Sequence, residues 1–231
     1  MSIADWFRQL RLDSIWDTLI IVAASLLCIT VHETCHGWAA YWQGDDTAKR
    51  MGRLSFNPLH HVDWVGLLMM ALVRFGWAKP VPVDMRRFRN PRLGMALTAL
   101  AGPVSNVLLA LVALALRMVA IFLALKTGAG AVWNYVILFL EYTALLSAGL
   151  AVFNLFPIPP LDGSKILLAV LPGPYYAKWM RYERYGMIAL LALIVLSDLS
   201  GLDPLSRATG WVFEKLFVFA DWGFALALRL M

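Results

Sequence analysis

Residues 15–38 read IWDTLIIVAASLLCITVHETCHGW, an apolar run that leads without a break into His32, Glu33 and His36. A helix rises about 1.5 Å per residue, so about 20 mostly apolar residues cross a hydrocarbon core of about 30 Å. The stretch therefore predicts a membrane helix carrying two imidazoles and a carboxylate near its end. Ionisable side chains are costly at such depth and point to function when they occur. Arg8 and Arg11 precede the run, but no small-residue cleavage site follows it, and cleavage would part the polar cluster from its anchor. It reads as a retained span rather than a signal peptide.

The rest of the chain has the same character. Of its 231 residues, 61% are hydrophobic and 15% charged, against about 25% charged in soluble domains, and the mean hydropathy is +0.69. Further apolar segments fall at about 64–77, 94–125, 132–156, 185–200 and 209–230. The expected fold is an all-α polytopic membrane protein with five to six transmembrane or re-entrant helices and short extended segments in the cytoplasmic loops. One membrane-embedded domain is expected over 1–231, its core at about 15–170 and its C-terminal helices at about 185–230. Segment 64–77 is short for a crossing and reads as re-entrant or tilted.

Loop charges give an orientation. Lys79, Arg86, Arg87, Arg89 and Arg92 precede the segment at 94, and Lys165, Lys178, Arg181 and Arg184 follow the one ending at 156, whereas only Lys126 lies between those two segments. Both basic loops are expected in the cytoplasm, which accounts for the net charge of +5 without invoking nucleic acid. Segments 15–38 and 132–156 then end on the same side, provided that 64–77 does not cross. The mildly basic loop at 41–62 favours that arrangement. Tryptophans near segment ends, such as Trp16, Trp38 and Trp64, read as anchors at the surface of a lipid bilayer. Cys28 and Cys35, seven positions apart on one predicted helix, are about 10 Å apart and beyond disulfide reach.

His32 and His36 are four apart, so both rings share one helix face a turn apart and can converge on one ion. With Glu33 beside them they form H-E-x-x-H. In that chemistry zinc polarises a carbonyl and acidifies water, while the glutamate moves the proton from water to the leaving amine. Catalytic zinc usually has three protein ligands. Asp162, just past segment 132–156 and on the same expected side, is the leading third ligand; the donors of His60-His61-Val62-Asp63 compete with it.

His32-Glu33-Thr34-Cys35-His36, Gly102-Pro103-Val104-Ser105-Asn106, and Asn154 followed by the prolines and Leu161-Asp162-Gly163 resemble, in that order, the motifs of the site-2 protease family of intramembrane zinc metalloproteases. The likeness extends over about residues 20–170. It implies an endopeptidase with one Zn2+ ion, Glu33 as the general base and His32, His36 and Asp162 as zinc ligands, acting on transmembrane protein substrates. With 231 residues and this many apolar segments, the PDZ or CBS domain that many members carry is not expected. A bacterial or archaeal plasma membrane is expected, with the active site toward the cytoplasmic side.

Such an enzyme must unwind a helical substrate before its amides are accessible. In Lys79-Pro80-Val81-Pro82-Val83 the prolines lack donors on one edge, while Val81 and Val83 keep theirs on the other, an edge suited to strand pairing. A polyproline-type surface loop is the alternative. Asn106 and Asn154 are candidate donors to a substrate carbonyl or oxyanion, or else bonds to a neighbouring helix. His60 and His61 are expected at the membrane surface or bracing the fold. The rival function is a non-proteolytic membrane zinc-binding protein for metal handling or client binding, which has no need of Glu33.

Overall fold

The computed structural model describes residues 15–66, 79–128 and 130–172, with isolated positions and short stretches between 175 and 218. Its helices are α1 (Ile15–Trp42), α2 (Thr47–Arg50), α3 (Pro91–Thr127), α4 (Ala131–Leu155) and α5 (Asp162–Val170), with 3-10 turns at Pro58–His60 and Met85–Arg87. Among the described residues there is no strand. The segments expected at 15–38, 94–125 and 132–156 are α1, α3 and α4, each long and apolar enough to cross a membrane. Leu97, Leu100, Val104, Leu108 and Val112 form an exposed stripe along α3 at helical spacing. That much bare apolar surface is stable against lipid and a liability in water. The chain is an integral membrane protein. α3 opens on Pro91, which has no amide to leave unpaired at a first-turn position, and the Asn90 side chain accepts from the Leu93 amide at 3.2 Å.

Two compact units divide the chain: Met1–Cys28, Asn106–Phe153 and Asp203–Met231 in one, Ile29–Ser105 and Asn154–Leu202 in the other. In the first, Trp16 stacks near Tyr135 with ring centroids 6.4 Å apart, and the Cys28 thiol donates to the Thr143 carbonyl at 3.5 Å. Higher numbers on α1 meet higher numbers on α4, so these helices run parallel. α3 runs against α4: Ser147 Oγ donates to the Asn106 carbonyl at 3.0 Å, and Arg117 Nε to Glu141 Oε2 at 3.2 Å. Buried Ala110, Ala113, Ala144 and Ala148 let the backbones approach closely, as small residues do between membrane helices. Phe213 and Leu216 pack against the cluster of Ala113, Leu114 and Ala144.

In the second unit Gln43 Nε2 donates to Thr98 Oγ1 at 3.1 Å, and Gly102, a turn further along α3, faces His32 and His36, earlier on α1. α1 and α3 are thus antiparallel, and the connection between them begins and ends at one membrane face. The expected re-entrant segment 64–77 falls largely on positions 67–78, outside the described residues, as does most of 185–200 and 209–230. The flanking loop is organised by Asp45, fully buried. Its carboxylate accepts from the Thr47 hydroxyl and amide and, at 2.7 Å, from the Asp84 amide. Burial works against its ionisation, but these donors and the Arg87 guanidinium prevail and hold the carboxyl below its ordinary range.

Candidate metal centre

α1 places His32 and His36 one turn apart, their rings 4.5 Å between centroids and nearly perpendicular. Their Nε2 atoms lie 3.0 Å apart, and Asp162 Oδ2 is 3.1 Å from each. All three side chains are buried. His36 Nδ1 lies 2.7 Å from the Thr98 carbonyl. A carbonyl can only accept, so Nδ1 carries a proton, and Nε2 is the atom that His36 turns toward His32 and Asp162. Burial disfavours a charged Asp162, but the facing imidazoles and the Lys165 ammonium, 3.5 Å from Oδ1, outweigh it and hold the carboxyl far below its usual range.

Two ring nitrogens and a carboxylate oxygen at hydrogen-bond distance share protons here, and a metal ion can take the place of those protons. Ligand bonds of about 2.0–2.1 Å in a tetrahedral site separate donors by about 3.3 Å, so the observed triangle fits zinc after shifts of a few tenths of an ångström. Two imidazoles and one carboxylate are also a donor set that zinc takes. The space is kept by Gly102: a Cβ there would lie 2.5 Å from His36 Cε1 and Nε2 and 2.6 Å from His32 Cε1. Pro103, next along α3, has no amide for the carbonyl one turn back. Glu33, half-buried beside this triangle, accepts at Oε2 from the Val81 amide at 3.0 Å.

Residues 116–196 match the description "Peptidase family M50". The chain is also 38% identical over 172 residues to YwhC of Bacillus subtilis, which carries the name of a zinc metalloprotease; the match covers 71% of this chain and 74% of that protein. The chain belongs to peptidase family M50. Similarity extends to Rip2 of Mycolicibacterium smegmatis, likewise named a zinc metalloprotease, at 32% identity over 69% of this chain and 60% of that one. Rip2 of Mycobacterium tuberculosis is 30% identical over 63% and 54% of the two chains. No solved structure matches. This M50 peptidase is a zinc metalloprotease.

Among the described residues of the M50 chain, His32, His36 and Asp162 are the one group of histidine, cysteine and acidic donors close enough for a metal. Asp63 instead caps a turn, its Oδ1 accepting from the Val65 and Gly66 amides at 2.9 and 3.0 Å. His61 is buried and braces the loop, with Nε2 donating to the Ser55 carbonyl at 2.8 Å and lying 3.3 Å from Thr34 Oγ1; His60 is exposed. Asn106 is fully buried in the other compact unit, and Asn154 is half-buried at the end of α4. Val81 is buried with its amide on Glu33, while the half-buried Val83 makes no backbone hydrogen bond among the described residues. Thr98 has no sign in the sequence because it acts through a carbonyl, and Gly102, although part of the second motif, gives no sign there of the rings that its missing Cβ admits.

Proposed function

We propose that this zinc metalloprotease hydrolyses peptide bonds in or near transmembrane segments of membrane proteins, its centre toward the cytoplasmic side. The observation that carries the reading is the position of the donors. His32 and His36 are buried on one membrane-length helix, and Asp162 follows the end of another. Such a centre suits a substrate that arrives through lipid. The basic residues at 79–92 and at 165 support the cytoplasmic side.

In this reading His32, His36 and Asp162 hold the ion. Zinc, when bound, supplies polarisation of the scissile carbonyl and a more acidic water. Glu33, with Oε2 on the Val81 amide, keeps Oε1 to take the proton from water and return it to the leaving amine. Because Val81 is engaged by Glu33, pairing with an unwound substrate strand falls to Val83. Asn106 and Asn154 are candidate donors to the substrate carbonyl or oxyanion. The two compact units act as one catalytic domain, since α1, α3 and α4 each contribute residues to both.

The test is a proteoliposome assay with a helical membrane substrate beside an unfolded soluble chain. Glu33→Gln should keep its zinc and lose cleavage. Undiminished cleavage by that variant would sink the mechanism, and wild-type cleavage of the soluble chain alone would sink the intramembrane substrate.

A further inference from the structure

We propose that Arg53 is a positioning residue for the general base, acting through the Lys79–Val81 backbone. The inference rests on the reading of Glu33 as that base and names what holds it. Arg53 is 7% exposed, a charged side chain drawn into the protein beyond the end of α1. Its Nη2 donates to the Lys79 carbonyl at 2.6 Å and the Pro80 carbonyl at 3.2 Å. The next amide, that of Val81, donates to Glu33 Oε2 at 3.0 Å. Guanidinium, two carbonyls, amide and carboxylate form one continuous chain of contacts.

Several features make this a built arrangement. Pro80 and Pro82 cannot donate, so Val81 supplies the one amide across residues 80–82. A charged donor bound to neutral carbonyls makes a stronger hydrogen bond than a neutral one, and one guanidinium nitrogen, Nη2, serves both carbonyls here. Gly37, one turn beyond Glu33, clears the approach: a Cβ there would meet Leu54 Cδ2 at 2.6 Å and Val81 Cγ1 at 3.3 Å. A carboxylate on a helix has several rotamers, and a backbone amide fixed from behind selects one of them.

The experiment uses the full-length zinc-loaded protein in proteoliposomes with a helical membrane substrate, reading kcat, KM, zinc content and Tm. Arg53→Ala should lower kcat by about 10- to 100-fold, with KM within about two-fold and zinc unchanged; Arg53→Lys should recover kcat to within about five-fold of wild type. Val81→Pro, which deletes the amide donor, should lose as much, and the double variant should be no worse than either single one. Multiplying losses, loss of zinc, or wild-type kcat in Arg53→Ala would overturn the proposal. If Arg53→Ala does not fold, Arg53→Met, which keeps the length of the side chain without a donor, carries the same expectations. Glu33→Gln separates this inference from the one beneath it. Its cleaving at full rate removes the base assignment, whereas its inactivity alongside a fully active Arg53→Ala removes the positioning role alone.

Discussion

Replacing Gly102 by alanine should weaken zinc binding without unfolding the protein. The new Cβ would stand 2.5 Å from the His36 ring and 2.6 Å from that of His32, about 0.9 Å inside ordinary contact at 3.4 Å. α3 cannot withdraw easily, because Thr98 a turn earlier is bonded to both His36 and Gln43. The imidazoles must therefore turn. Rotating a side chain about 30° from its rotamer costs about 0.5–1.5 kcal/mol, so two rings cost about 1–3 kcal/mol. At about 1.4 kcal/mol per tenfold, zinc affinity should fall by about 5- to 150-fold. Alanine is also favoured over glycine in a helix by about 0.8–1 kcal/mol, which offsets part of the cost of turning the rings, so the metal-free protein should still fold with a Tm lowered by a few degrees at most. The assay is a competition titration against a chelating dye in detergent, with lipid-facing Val104→Ala as the neutral control. Affinity within two-fold of wild type would refute the claim that Gly102 keeps the space for the rings.

Other substitutions test the centre and its frame. Asp162→Ala should strip zinc from the purified protein, whereas Asp63→Ala should cost about 1 kcal/mol of stability as a lost cap and leave metal content unchanged. Asp45→Asn should lower stability by about 2–4 kcal/mol, since an amide cannot satisfy the donors that converge there. The depressed Asp45 carboxyl also fixes the sign of a pH effect. Its contribution is complete above the unfolded value of about 4 and is lost as pH falls through the lower folded value, so the acid-side loss of Tm should shrink in Asp45→Asn. Glu141→Ala removes an ion-pair partner from Arg117 and should cost about 1–3 kcal/mol, with much of it recovered in the double leucine variant.

The sequence showed most where one side chain or one run of side chains carries the information. Apolar length located α1, α3 and α4. The four-residue spacing of His32 and His36 put them on one helix face, and the shared direction of two spans was enough to bring Asp162 into consideration. Backbone chemistry was far less legible. The Thr98 carbonyl and the Val81 amide have no residue-type signature, because any residue has a carbonyl and nearly any an amide, and Gly102 stood in a motif without indicating which side chains its missing Cβ admits. Val81 illustrates the difference: alternation of prolines marked its amide as available, but the fold turns that amide onto Glu33. Arg53 looked like loop charge because nothing local indicates that it turns inward.

The pairing of Arg117 with Glu141 has a consequence for how the chain enters the bilayer. Each residue alone would tax the insertion of its helix, by about 2.5–3.5 kcal/mol for an arginine at the centre of a span. α3 ends at Thr127 and α4 begins at Ala131, a link so short that the second helix follows the first almost at once. Charges separated by 24 residues in the sequence can then neutralise each other while the chain is still emerging. The two helices are thereby suited to partition into lipid together as a hairpin, with the ion pair formed before the rest of the protein assembles.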